Sequence, residues 1–472
     1  MDIRFTLQAE YASPTYSVTL FNLYGYTSGS PTANLLASNV TKAQLLAGHI
    51  VTTNLIIVSG YIQPLGACSA APQQTYSLEF LAGPIIVGTF SNYAGQSRVG
   101  ITKLNNSLTL DTTFNVGSGF GFGPGTDTGP MQIVKQSNGK IVVAGTVTSY
   151  DGVTCSKVIR LNPDGSKDYT FSGWGATTYF NTRTILTIDT QTDNKIIVGG
   201  ANGLVTDTTA GSGMLVRLEL DGSIDNTFAS NVLQINGTVR VVLFLPNDNQ
   251  SILVAGNFLA PTNGGLYKVL NTGAFDFSFP GGFTLGTTGD GLGKINCMSL
   301  DSSNRIMIGG SWTAVFNGIS VVNPVRINSA GVLDTSWYPK ANGIVSSILE
   351  QPGTGGKVII AGTFSQVNVS STPLPAVFRF GLARISANGV NDATWTAEPN
   401  YSGSYNTGWF PGSRLSLLSN GNILFIGSIL SVNNNTNVTN VTVLSPTNGA
   451  PVTSGISYGL SDAAIYRDAV SF

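Results

Sequence analysis

The sequence predicts an all-β fold: a seven-bladed β-propeller of four-stranded antiparallel blades, preceded by a small β-sandwich-like module. Three observations carry this. A short apolar run ending in glycine recurs seven times. In six of the repeats a basic residue is followed eight positions later by Asp, and three later again by Phe or Trp. Tight-turn dipeptides separate the base from the acid in most of them. Self-similarity at a period of this size outranks any local pattern in setting the architecture.

The runs are Ile85 to Gly88, Ile141 to Gly145, Ile196 to Gly200, Ile252 to Gly256, Ile306 to Gly310, Val358 to Gly362 and Ile423 to Gly427. Their last glycines lie 52 to 65 residues apart. Each run is short and rich in β-branched residues, so it reads as an interior strand buried on both faces. A glycine at its end suits a point where strands crowd together.

The base, acid and aromatic sets are Lys103/Asp111/Phe114, Arg160/Asp168/Phe171, Arg217/Asp225/Phe228, Lys268/Asp276/Phe279, Arg326/Asp334/Trp337 and Arg384/Asp392/Trp395. The turns between them include Asp164-Gly165, Asp221-Gly222, Thr272-Gly273, Ala330-Gly331 and Asn388-Gly389. In a hairpin folded about such a turn, residues i and i+8 lie near each other across the strands, which predicts a repeated cross-strand ion pair. The rival reading is a ring of charge that contacts a ligand. Calcium takes several oxygens from one short loop, and one Asp per repeat does not supply them. The aromatic reads as a packing plug between units, against a rival role in binding.

One unit then holds four strands. The first leads into a polar-Gly turn such as Asn138-Gly139 or Asn420-Gly421, the second is the apolar run, the third carries the base and the fourth ends at the aromatic. A closed ring is favoured over an open stack, because a solenoid needs capping repeats with polar outer faces.

These motifs resemble the delta-60 repeat family of β-propellers, most closely over Gly139 to Phe171, Asn194 to Phe228 and Gly356 to Trp395. The resemblance spans residues 75–455 and implies the fold without implying an activity. The first unit departs from it by lacking the polar-Gly turn, and the seventh by lacking the acid and the aromatic.

Composition narrows the function. At 472 residues the chain accommodates one large domain and a small one. Charged residues make up 10% of it and the net charge is -1, so nothing suggests nucleic-acid binding. The apolar runs are far shorter than the roughly 20 residues of a membrane span. Met1 to Phe5 leads straight into an alternating strand, without the basic start and apolar core of a secretory signal. Cys68, Cys155 and Cys297 are widely spaced and form neither a zinc pattern nor a disulfide framework. A weakly charged, turn-rich β-protein without an export signal fits a virion protein, which is made inside its host and released by lysis.

Residues 1–74 do not match the repeat and are expected to form a small β-module from alternating stretches such as Asp2 to Tyr11 and Tyr16 to Tyr24. Leu35 to Gly48, with Cys68, resembles small modules at the head of virion appendage proteins in crAss-like phages of Bacteroides. That resemblance implies a docking piece onto the particle. His49, the single histidine, reads as an ordinary strand-edge residue. Residues 456–472 are expected to be the last outer strand of the seventh blade or an arm to a partner.

The longer connections of the ring should gather on one face. Phe120, Phe122, Trp174, Tyr179, Tyr401, Tyr405, Trp409 and Phe410 lie in them and form a candidate interaction face, since aromatics among Ser, Gly and Asn provide contact area with adaptable hydrogen bonds. The rival reading is that each ring anchors its own loop. No nucleophile elbow, phosphate loop or metal motif occurs, and no cofactor is expected. The acids left over by the repeat are Asp127, Asp290 and Glu398. The expectation is a non-enzymatic component of a tailed-phage virion, multimeric in the particle, whose propeller contacts other virion proteins or a host glycan. A secreted or cell-surface lectin is the runner-up, and a glycoside hydrolase follows it.

Overall fold

The computed structural model describes residues 2–7, 20–27, 33–41, 45, 49–52, 57–64, 76–81, 83–105, 109–122, 130–174, 180, 183–202, 213–231, 235–260, 265–280, 283–285, 287–288, 291–292, 294–316, 318–368, 376–401, 413–427, 429–435, 441–452 and 466–470. Almost all regular structure among them is antiparallel β. One short helix, Asn226–Asn231, interrupts it.

Seven sheets share one three-stranded order, inner to outer, with the apolar run always in the middle. In unit 2 the strands are Pro130–Lys135, Ile141–Gly145 and Val158–Leu161. In unit 3 they are Arg183–Thr190, Ile196–Asn202 and Gly213–Leu218. Units 4 to 7 repeat the pattern around Ile252–Ala260, Ile306–Ser311, Val358–Gly362 and Ile423–Ile426. The middle runs of units 1 and 2 are buried throughout, and each face packs against a different neighbour. Val143 and Ile159 join Ile85 and Val87 of unit 1, whereas Val142 and Val158 join Ile196 and Val216 of unit 3.

The fourth strand differs from expectation. After the outer strand the chain makes one further bridge, such as Leu161 to Lys167, Leu218 to Ile224 or Ile385 to Asn391, and then leaves the sheet. The repeat Asp causes this. Its Oδ1 accepts from a backbone N–H and a hydroxyl two residues on: Asp168 from Thr170, Asp334 from Ser336 and Asp392 from Thr394. Such a side chain offers the backbone a turn in place of a ladder. In unit 3, Asp225 accepts from the Phe228 N–H and starts the short helix.

Unit 1 departs most. Its middle strand Ile85–Gly88 has Ile101–Lys103 on the outer side. The inner position is filled by Tyr466–Val470, with Tyr466 opposite Gly88 and Val470 opposite Ile85. The C-terminal stretch expected on the outside of unit 7, or as an arm, therefore pairs inside unit 1. This strand touches the inner strands of units 2 and 7 as well, and the other inner strands touch one another in chain order.

The N-terminal residues form two three-stranded antiparallel sheets, His49–Thr52/Asp2–Leu7/Tyr76–Leu81 and Ala33–Thr41/Leu20–Thr27/Ile57–Pro64. Tyr76–Leu81, expected to open the first repeat, pairs instead along Asp2–Leu7. His49 lies opposite Phe5 at the edge of the same sheet. Cys68 lies outside the described residues, while Cys155 and Cys297 are free and buried. Burial pushes both thiols up to about 12.

Candidate functional site

Units 1 to 6 each end in a cluster of base, acid and aromatic, whose aromatic packs toward the next unit. In unit 2, Asp168 Oδ2 accepts from Arg160 Nε at 2.7 Å, and Lys140 Nζ lies 3.1 Å from the same oxygen. In unit 3, Asp225 Oδ2 sits 2.7 Å from Arg217 Nη2 and 3.0 Å from Lys195 Nζ. In unit 6, Asp392 Oδ2 sits 2.9 Å from Arg384 Nε and 2.7 Å from Lys357 Nζ. Arg326 and Arg305 flank Asp334 in unit 5 at 2.7 and 3.7 Å. Lys103 lies 3.3 Å from Asp111, and Lys268 lies 3.4 Å from Asp276 and 2.6 Å from Asp248.

The two carboxylate oxygens divide the work. One caps the turn, and the other takes the cations. Burial opposes ionisation of Asp168, but the Thr170 hydroxyl, the Arg160 guanidinium and Lys140 outweigh it and hold the carboxyl well below the usual range. Asp225 is depressed in the same way, against its burial, by the Phe228 amide, Arg217 and Lys195. Asp392 is depressed against its burial by Lys357 and Thr394.

The guanidinium reaches further, into the next repeat. Arg160 Nη1 donates to Leu220 O at 2.6 Å, Arg217 Nη1 to Asn271 O at 2.8 Å, and Arg384 Nη1 to Pro446 O at 2.5 Å. Arg326 Nη2 donates to Ala387 O at 3.3 Å. Each acceptor belongs to the tight turn after the outer strand of the following unit. The aromatic lies against the cation: Phe171 is 4.9 Å from Arg160, Phe228 is 4.6 Å from Arg217 and Trp337 is 5.1 Å from Arg326. Its other side meets the glycine of the same neighbouring turn. A Cβ on Gly222, which has φ +81°, would come within 2.8 Å of the Phe171 ring. A Cβ on Gly389, also at φ +81°, would come within 2.5 Å of Tyr338 N beside Trp337. Only glycine combines that backbone conformation with so close an approach. We call this arrangement the clasp. The second cations, Lys140, Lys195, Arg305 and Lys357, were not singled out from the sequence, although each stands directly before an apolar run.

The inner strands are laced as well. Gln132 Oε1 accepts from Ile188 N, Thr187 Oγ1 from Val242 N, Asp189 Oδ2 from Phe244 N and Ser347 Oγ from Leu415 N. Each polar side chain satisfies an amide that the neighbouring inner strand leaves off its own ladder. Asp189 has no cation among the groups that shift it. Burial raises its pKa to about 6, against two backbone amides. Between units 6 and 7 a cavity of about 580 Å³ opens, lined in part by Thr354, Lys357 and Arg384. The five N–H groups of Arg384 are taken by Asp392, Gln351, Pro446, Thr394 and Thr447, leaving none for a ligand.

The aromatics of the candidate face divide. Phe120 is buried in the core shared by units 1 and 2, and Phe122 and Trp174 pack half-buried against it. The Phe120 and Trp174 rings belong to a ladder in which Phe120 lies 4.8 Å from Tyr150 and Tyr150 lies 6.2 Å from Trp174. Tyr401 is in the strand Pro399–Tyr401. Tyr179, Tyr405, Trp409 and Phe410 lie outside the described residues, as do Asp127 and Asp290. Glu398 is exposed; its N–H donates to Asn433 Oδ1 and its carbonyl accepts from Asn433 N. Among the described residues no group of three acids, cysteines or histidines is placed to hold a metal ion, and no helix is long and apolar enough to cross a membrane.

Comparison with known proteins returns to the repeat. Residues 85–114, 136–171 and 191–228 match a family described as "Domain of unknown function (DUF5122) beta-propeller". A Bacteroides caccae protein of unknown function is similar in structure at 12% identity and a TM-score of 0.31, over 66% of this chain and 94% of that one. The extracellular domain of a one-component system from B. thetaiotaomicron aligns at 14% identity and a TM-score of 0.37, over 75% of this chain and 39% of that one. The WD40 β-propeller domain of Doa1 aligns at 12% identity and a TM-score of 0.31, over 65% and 93%. No curated protein matches the chain. The three matched stretches are units 1 to 3, so this is an all-β protein of the β-propeller kind, built on repeats similar to that family's.

Proposed function

We propose that the protein is a non-enzymatic interaction module: a closed seven-bladed propeller of delta-60 type, carried as a structural component of a tailed-phage virion, with the N-terminal module as its docking piece. The clasp carries the reading. The charged residues that recur through the chain hold one unit to the next, which makes a rigid platform rather than a reaction centre. Closure is supported by the C-terminal strand, which lies inside unit 1 and touches the inner strands of both neighbouring units. The virion assignment is supported by the resemblance of Leu35 to Gly48 to appendage-protein modules and by a composition with 10% charged residues.

Purified particles test it. The chain is expected in them at fixed stoichiometry by mass spectrometry, with the N-terminal sheets against the particle in an electron-microscopy map. A chain found only free in the lysate overturns the virion reading. Turnover of host polysaccharide that disappears in a combined Asp127→Asn, Asp290→Asn, Glu398→Gln variant overturns the non-enzymatic one.

A further inference from the structure

We propose that the rim of unit 2 is a saccharide-binding site, in which the Tyr169 ring takes the C–H face of a neutral pyranose while Asp151 and Lys167 hydrogen-bond its hydroxyls. Tyr169 directly follows the clasp Asp168 and is 66% exposed. At the same position units 1, 3, 5 and 6 carry Thr112, Asn226, Thr335 and Ala393. Packing in the repeat therefore does not call for an aromatic there. Unit 4 alone resembles unit 2, with Phe277 63% exposed and stacked on Phe275 at 6.2 Å.

The exposed ring has a firm backing. Trp174 lies 5.8 Å from it at 52°, fixed by a 2.6 Å hydrogen bond from Nε1 to Asp168 O and by a backbone bridge to Cys155. Behind Trp174 the ladder runs through Tyr150 to buried Phe120. An aromatic held in this way presents its negative π face at little cost in side-chain entropy, and the polarised C–H groups of a sugar ring match that face. Beside the ladder stands a polar pair. Lys167, two residues before Tyr169, binds the Asp151 carboxylate, which also accepts from Ser118 N at 3.1 Å. The Asp151 side chain keeps 41% of its surface exposed. A carboxylate with open lone pairs beside an ammonium offers acceptors and donors to adjacent hydroxyls. The pair sums to zero charge, which favours a neutral sugar over an acidic one.

This inference deepens the interaction-module reading and rests on it. Its test is native affinity electrophoresis in gels containing mannan, xyloglucan or arabinogalactan. At least one polymer is expected to retard the wild-type protein. Tyr169→Ala should weaken that retardation about tenfold, while Tyr169→Phe, which keeps the ring, should hold it within about threefold. Asp151→Asn should weaken it without removing it. Thermal unfolding of Tyr169→Ala at the wild-type midpoint shows that the fold is intact, as its exposure leads one to expect. Absence of retardation by all three polymers overturns the proposal, as does equal retardation of Tyr169→Ala. Self-association that vanishes with Tyr169 would assign the patch to a second copy of the chain and overturn it too. None of these outcomes bears on whether the chain is found in particles, so failure of the sugar site and failure of the virion reading are told apart.

Discussion

Two kinds of junction hold this molecule together. Where unit 3 meets unit 4, Arg217 binds its own Asp225, lies over Phe228 and donates to the Asn271 carbonyl across the boundary. Where unit 7 meets unit 1, Val443 occupies the place of the arginine and packs in an apolar cluster with Ile86, Phe90 and Leu104. The chain's C-terminal strand is hydrogen-bonded into unit 1 there. Side-chain chemistry joins units that follow one another in sequence, and backbone pairing joins the two that do not. Between these extremes stands Lys268, whose charged partners, Asp248 and Asp276, both lie in its own unit. A guanidinium has donors for two units at once, whereas an ammonium is a compact point charge.

The sharpest break in this comparison is removal of residues 466–472. It takes the inner strand from unit 1 and should cost more than about 4 kcal/mol, with loss of a single cooperative urea transition. A truncated chain that unfolds like the full one would show that the seventh junction needs no strand. Next comes Arg217→Met, which leaves buried Asp225 with Lys195 as its remaining cation and removes the donor to Asn271 across the boundary; it should cost about 3 kcal/mol in the same assay. Lys268→Met should cost about 1 kcal/mol, since its site is wetter and its contacts stay within one unit. Equal losses would erase the distinction between the two cations. Charge reversal at Asp225 should be partly rescued by reversal at Arg217, and additive effects in that cycle would count against direct coupling.

Proton linkage separates the clasp from the inner lacing. Asp168, Asp225 and Asp392 are held below their ordinary range. Their stabilisation is complete above the unfolded carboxyl pKa of about 4 and is lost as pH falls further toward the folded values. The clasp therefore adds no pH dependence from about pH 8 to 5, and calorimetry should find a steep fall in melting temperature below about 4. Asp189 runs the other way. With its pKa raised to about 6, it favours folding at low pH and loses that contribution as pH rises through the folded value. Asp189→Asn should therefore stabilise by about 1–2 kcal/mol at pH near 8 and by little near 4, because the amide oxygen still accepts from Phe244 N. A variant less stable at both values would mean that the charge itself is needed.

Much of the clasp is legible in the sequence. The i, i+8 spacing gave Arg160 its Asp168, and the three-residue offset to Phe171 marked the plug. The fourth strand was not, although a cue stood in plain view. Thr113, Thr170, Ser278, Ser336 and Thr394 each follow the Asp by two residues, and an acid with a hydroxyl at that spacing bends the chain back on itself. The place of the C-terminal strand, inside unit 1, is unreadable for another reason. Five residues without a repeat to compare with carry no register, and their partner lies at the far end of the domain. The loop aromatics show the limit of composition: Phe120 and exposed Tyr169 belong to one ladder, and only depth separates an anchor from a contact.

The abrupt exit of the chain after a single bridge has a bearing on solubility. Outer strands of three or four residues, such as Ile101–Lys103, Val325–Ile327 and Leu382–Ile385, expose too little ladder to recruit a stranger's β-strand. A molecule with so few ionised groups has weak Coulombic repulsion to keep its copies apart. Brevity at the perimeter supplies that protection instead, and it leaves the surface free to be uncharged where contact is wanted.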